Sequence, residues 1–259
     1  AECEAIVARL AAGFAAAGLK RGDRAVLFID NRPEFLWVLL ALLRLGCVAV
    51  PVGVREQKPG LTYIVNQCGA AAIVADAHLL DRVPAPDAAP ALRLRVLVDV
   101  ETTIATDFIA LKSLLDCRNC PPEPETPVET NVCVILYTSG TTGNPKGAML
   151  THVNVVHSVL HYEACMRVRP GDRSALAVPA SHVTGLIDVI AAMWHVGGSI
   201  AVVPTFKADT FIALLEGERI THTLMVPAMY NLCLLQPAFA TADLSAWRLG
   251  GYGGAPMPV

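Results

Sequence analysis

Apolar residues in this chain fall into short unbroken runs separated by stretches with helical spacing, and that alternation predicts repeated strand–helix units. Ile6, Leu10, Phe14 and Ala17 recur at near-helical intervals, Gly18 and the turn at 20–23 break the pattern, and 25–29 is wholly apolar. A second helix opens at Asn31-Arg32-Pro33, with Asn31 or a neighbour as cap, and closes at Gly46; 47–51 is then a strand. The pattern continues with helix at 59–67, strand at 71–75, short helix at 76–83 and strand at 94–98. Residues 132–137 lack polar alternation, as a strand buried on both faces of a parallel sheet would. Beyond them Thr151 is a fair helix cap, and Val153, Val156, Leu160 and Ala164 mark one helix face. Strands are expected at 175–179, 199–204, 221–226 and from 247, with helices at 184–195, 209–216 and 227–235. This period predicts an α/β chain of right-handed βαβ units around mainly parallel sheets.

One stretch interrupts the period. Residues 117–130 turn acidic and proline-rich, which predicts a connecting loop at 121–131 between a first α/β subdomain, 1–120, and a second, 132–259, stacked on it. Composition adds bounds: 259 residues, 54% hydrophobic and 17% charged, suffice for a large core. A formal net charge of −3, from 20 basic and 23 acidic residues, makes no electrostatic case for nucleic acid or an anionic membrane. The longest apolar stretch, 35–43, is shorter than the roughly 18 residues a spanning helix needs, so no transmembrane segment is expected. Eight scattered cysteines, several inside apolar runs, suit a reducing cytosol. Cys117 and Cys120 have half of a zinc-site spacing but no second pair, and no protein metal ligand is assigned. Both ends read as cut, so a fragment is expected; oligomeric state is not readable.

The chemistry concentrates after the strand at 132–137. Tyr137-Thr138-Ser139-Gly140-Thr141-Thr142-Gly143-Asn144-Pro145-Lys146-Gly147 is almost all hydroxyls and glycines with one lysine. Glycines allow backbone N–H groups to turn inward, the hydroxyls of Thr138, Ser139, Thr141 and Thr142 add donors, and Lys146 adds a full charge; the natural guest is a polyphosphate. It is not a Walker A loop, because Pro145 and Gly147 flank the lysine where glycine and a magnesium-binding hydroxyl are needed. A helix after this loop, with its N-terminus toward the phosphates, would add about 0.3–1 kcal/mol. A second segment, Pro179-Ala-Ser-His182-Val-Thr-Gly185, falls at a strand end, where open α/β sheets place their ligand crevice. On position alone, a histidine there is more often structural. A third, Leu249-Gly-Gly-Tyr-Gly253-Gly254-Ala255-Pro256, reads by itself as a tight turn.

Taken together, the three segments resemble the adenylate-forming superfamily of acyl- and aryl-CoA synthetases, luciferases and peptide-synthetase adenylation domains. The resemblance implies a truncated N-terminal portion of that fold. It also implies ATP-dependent activation of a carboxylic acid to an acyl-adenylate, followed by transfer to a thiol, coenzyme A above all. On that reading Thr138, Ser139, Gly140, Thr141, Thr142, Gly143, Lys146 and Gly147 hold phosphate. Lys146 and His182 carry the catalytic roles, and His182, Gly185, Gly253, Gly254 and Ala255 border the substrate. A histidine rather than an acid at 182 favours a fatty, aromatic or other organic acid over an amino acid. The family's Thr-Glu pair that accompanies Mg²⁺, its ribose aspartate, hinge and mobile C-terminal domain would lie beyond Val259, so the fragment alone is expected to be inactive. Two alternatives stay open: a non-catalytic module that binds nucleotide or acyl-adenylate, and an amino-acid adenylation domain serving a carrier protein.

Overall fold

The computed structural model describes residues 2–99, 107–116, 127–138 and 143–257. It divides into two compact units, Ala1–Val153 and Asn154–Val259. The first is built on a seven-stranded sheet of order β5-β4-β3-β1-β2-β6-β7. Its strands are β1 (Arg24–Phe28), β2 (Val48–Pro51), β3 (Ala72–Asp76), β4 (Leu94–Val98), β5 (Ile109–Ala110), β6 (Val132–Thr138) and β7 (Lys146–Thr151). All neighbours are parallel except β6 and β7. Helices α1 (Glu2–Ala16), α2 (Pro33–Arg44), α3 (Lys58–Gln67) and α4 (Leu111–Leu115) connect or cover them. Every residue of β2, β3 and β4 is buried, the burial expected when parallel strands are covered on both faces. Val26, Phe28, Leu61, Ile64 and Ile73 belong to one core cluster, which joins β1 and β3 to α3.

The second unit carries a four-stranded parallel sheet, β11-β10-β8-β9, made of β8 (Arg173–Leu176), β9 (Ser199–Val202), β10 (His222–Met225) and β11 (Leu249–Tyr252). Helix α5 (His152–Met166) opens at the division between the units, and α6 (Ala192–Val196), α7 (Ala208–Gly217) and α8 (Pro227–Leu234) come after it. Phe211, Ile212 and Leu215 of α7 pack with Ala175, Ile220, Met225 and Cys233 in its core. No described helix is long and apolar enough to cross a membrane.

The α/β architecture with mainly parallel sheets is as expected, and several details differ. The division falls at 153/154 rather than within 121–131, because β6 pairs with β2 and β7 with β6, which draws the phosphate-loop strands into the first sheet. The loop leads into strand β7, not into a helix. Helix α5 therefore begins at the far end of six strand residues, roughly 20 Å along the chain, too far for its dipole to act on the loop. In α5 the buried side chains are Val159 and Tyr162, while Val156 and Leu160 are exposed, so the apolar stripe faces outward. Residues 184–191 form a π-helical segment that passes into α6 rather than one α-helix. The N-cap of α2 is, of the positions expected, Asn31's neighbour Arg32, with Pro33 in the first turn as expected. The short pair β5 and α4 had no expectation at all. The described cysteines are all free, and burial pushes the Cys47 thiol up to about 12 and that of Cys133 to about 11. Cys117 and Cys120 lie outside the described residues.

Candidate functional site

In the first unit the lysine-bearing segment is the end of an antiparallel hairpin. From Val134 onward, past an irregularity at its start, apolar β6 pairs rung by rung with β7, and the last rung joins Thr138 to Lys146. Directly opposed residues project to the same face of a sheet, so the hydroxyl and the ammonium are neighbours there. Both are exposed, and Lys146 forms no ion pair with a described residue. Gly143 has φ +107, a conformation glycine adopts at little cost, and Asn144 beside it is exposed. Ser139, Gly140, Thr141 and Thr142 lie outside the described residues. Gly147 has a steric role: a Cβ there would come 2.7 Å from Ile135 Cγ2 and 3.2 Å from the Tyr137 ring.

In the second unit the other two segments share one end of one sheet. His182 follows β8 and the Gly253–Gly254–Ala255 turn follows β11; β10 lies between these parallel strands. At the usual strand spacing their backbones are roughly 10 Å apart, on the carboxyl edge where open α/β sheets bind ligands. A turn with His182 N–H donating to the Pro179 carbonyl at 3.0 Å holds the histidine, and its carbonyl accepts from Leu186 N–H at 2.9 Å. His182 Nδ1 accepts from Thr184 N–H at 3.4 Å, so a neutral ring carries its proton on Nε2, on an exposed side chain. Gly185 is buried against the same turn, and a Cβ there would meet the Pro179 carbonyl oxygen at 2.3 Å. Gly253 donates to the Met225 carbonyl at 3.3 Å, continuing the pairing of β11 with β10, and Gly254 turns at φ +79.

Three polar groups have no motif that would reveal them. Asp188 is half-buried in the π-helical segment, and burial pushes its carboxyl up to about 6. His222, fully buried on β10, contacts the Tyr162 hydroxyl at 2.6 Å through Nε2 and Ser174 Oγ at 2.9 Å through Nδ1; burial holds its imidazole down at about 4. In the first unit Arg32 ties together Asp76, Glu34 and Asp99 at the carboxyl ends of β1, β3 and β4. Asp30, Asp76 and His78 have ligand atoms within 4.8 Å of one another. Asp76, however, already accepts from Arg32 at 2.9 Å and from Asp30 N–H at 2.7 Å, and His78 faces Asp30 at 3.2 Å, so the cluster satisfies itself.

Known proteins place these segments in one lineage. A feruloyl-CoA synthase from Amycolatopsis sp is 32% identical over 260 residues, covering all of this chain and 50% of its own length. A long-chain-fatty-acid–CoA ligase, FadD13, from Mycobacterium tuberculosis is also 32% identical, with the same shares. The chain thus spans about half the length of the curated relatives it matches. Among solved structures, the inhibitor-bound N-terminal domain of FACL13 from Mycobacterium tuberculosis superposes with a TM-score of 0.83 at 32% identity, over 99% of this chain and 63% of that one. ATP-bound MatB from Rhodopseudomonas palustris superposes at 0.86 with 27% identity, over 99% and 49%. The family model described as AMP-binding enzyme matches residues 1–259, from the first helix to the turn after β11. With the lysine hairpin, the histidine turn and the glycine turn all falling inside that match, the chain belongs to the AMP-binding enzyme family.

Proposed function

We propose that the protein containing this chain is an acid–thiol ligase that activates a carboxylic acid with ATP and passes the acyl group to coenzyme A. In the first step a carboxylate oxygen bonds to the α-phosphorus, the bond to the β-phosphate bridging oxygen breaks, and pyrophosphate leaves. In the second, a thiolate sulfur attacks the acyl carbonyl and AMP departs, the thiol proton going to solvent. The observation that carries the reading is the Thr138–Lys146 rung: an exposed ammonium beside a hydroxyl, closing a loop rich in glycine and threonine. That donor set suits phosphate oxygens, where a lysine acts as a point charge on developing negative charge. Phosphoryl transfer asks for such positioning and charge neutralisation rather than a protein nucleophile.

Ser139, Gly140, Thr141 and Thr142 would extend the cradle, and Mg²⁺ would accompany the nucleotide. His182 offers a donor toward the acid's carboxylate from the carboxyl edge of the second sheet, and Gly253, Gly254 and Ala255 leave backbone open on the same edge. The acid is fatty or aromatic rather than an amino acid, in keeping with relatives named for feruloyl-CoA and for long-chain fatty acids. The 259 residues alone bind nucleotide weakly without turning over, since the relatives are about twice as long.

Carboxylate-dependent ATP–pyrophosphate exchange tests this on the complete gene product and on the 259-residue chain, with fatty, aromatic and amino acids offered to both. Exchange by the complete protein with a fatty or aromatic acid supports the reading. Nucleotide binding without exchange for any acid would make the protein a binding module instead, and exchange with an amino acid alone would make it an amino-acid adenylating enzyme.

A further inference from the structure

We infer that Gln67, on the last turn of α3, is a positioning residue for the phosphate-loop hairpin and acts through Tyr137. This rests on the nucleotide reading above and adds residues that no part of that reading uses.

Tyr137 stands directly opposite Gly147, one rung before Thr138 and Lys146. Side chains alternate across a strand, so the tyrosine lies on the face opposite the phosphate-facing pair. Its ring lies over β7: a Cβ on Gly147 would come 3.2 and 3.3 Å from two ring carbons. The hydroxyl on that same end of the ring reaches α3, where it donates to Gln67 Oε1 with Cys68 beside it. Ile135 and Tyr137 pack against the core cluster that contains Leu61, Ile64 and Val65 of α3. Burial, with Cys68 and Tyr63 adjoining, pushes the phenol up to about 12, so it remains a donor at neutral pH.

The ring is thus a strut with one end on α3 and its face on Gly147. Among the described residues strand β7 has a sheet partner on one side, β6, and the rung that the strut pins is the last before the lysine. Without the hydroxyl–amide bond the ring is free to tilt, and the Thr138–Lys146 spacing loosens with it. Gly147, which lacks the hydroxyl a Walker A loop needs after its lysine, gains a reason of its own: it leaves room for the ring.

The test uses ATP–pyrophosphate exchange by the complete protein, with the KM for ATP and for the acid measured separately. Gln67 is exposed, so its replacement leaves the core untouched. Gln67→Leu and Tyr137→Phe should each raise the ATP KM about fivefold, with the acid KM and the melting temperature unchanged, and the double variant should be no worse than either single one. Gln67→Glu keeps an acceptor and should return the ATP KM to within about twofold of the parent. An unchanged ATP KM in both single variants, with exchange still lost in Lys146→Ala, would overturn the strut and leave the nucleotide reading standing. Equal rises in both KM values with a lowered melting temperature would also overturn it, since a merely structural contact behaves that way. Full exchange in Lys146→Ala would remove the nucleotide reading and the strut together.

Discussion

The lysine hairpin of the first unit and the histidine edge of the second are built on different plans. In the hairpin the reactive pair comes from one continuous stretch: β6, a short connection and β7, so that antiparallel pairing alone puts Thr138 beside Lys146. At the edge, His182 and the Gly253–Ala255 turn are separated in sequence by two further βα units and share one sheet edge only because β8, β10 and β11 lie side by side. The Thr138–Lys146 rung stands exposed at the margin of its sheet, whereas the histidine turn rests on close backbone packing of Gly185 against Pro179. Losing a side chain in the first should therefore damage chemistry and spare stability, and losing one in the second should damage both.

The largest effect expected is on the hairpin. Lys146→Ala should lower exchange by the complete protein on the order of 10²–10³-fold with no change in melting temperature, by analogy with removing one preorganised electrostatic donor. A drop in melting temperature instead would show the two plans to be less distinct than the structure implies.

Next is the buried polar network at the amino ends of β8 and β10, away from the histidine edge. His222 faces Tyr162 of α5 and Ser174 of β8, with Asp172 and Arg248 acting on it from farther off. Its folded pKa of about 4 lies below the ordinary 6.5, so the unfolded chain binds the extra proton first. The stability it contributes is present above pH 6.5 and is lost as pH falls toward 4, about 3 kcal/mol in all. Asp188 has the opposite sign: with its carboxyl raised to about 6 from 3.8, the folded state holds the extra proton, and its contribution is lost as pH rises through 6. The two nearly offset each other between pH 4 and 6. Denaturant unfolding should then be almost flat in pH for the parent, fall toward acid pH in Asp188→Asn, and rise toward acid pH in His222→Gln. Parallel profiles for all three proteins would refute the assignment.

Smaller changes are expected at the turn itself. Gly185→Ala pushes a methyl group into the Pro179 carbonyl and should cost about 1–3 kcal/mol of stability while raising the acid KM. His182→Ala should raise the acid KM roughly tenfold, a loss of about 1.4 kcal/mol, and leave the ATP KM alone; an effect confined to ATP would move His182 to the nucleotide.

Much of this was legible in the chain. Runs such as 94–98 coincide with β4, because burial of a parallel strand on both faces leaves no room for polar residues. The extent of α3, from Lys58 to Gln67, was marked by Pro59 near its start. Other features were not legible for equally physical reasons. The outward stripe of α5 misled because helical spacing records an apolar face without saying whether a neighbour covers it. Strand β7 was hidden because Lys146, Gly147 and Ala148 have little strand propensity, and their conformation comes from pairing with β6. The Gln67–Tyr137 bond joins residues far apart in sequence, and neither residue type marks it.

By itself, then, the sequence determined the α/β class, most of the strands and the lysine-bearing hydroxyl loop, since these depend on local periodicity, glycine freedom and residue chemistry. Only the tertiary structure decided which sheet that loop's strands join, that a strand rather than a helix dipole stands behind the lysine, and that His182 shares a sheet edge with the glycine turn. Those outcomes depend on strand order and on contacts between distant residues, and a linear pattern of apolar and polar positions does not encode which strand will find which neighbour.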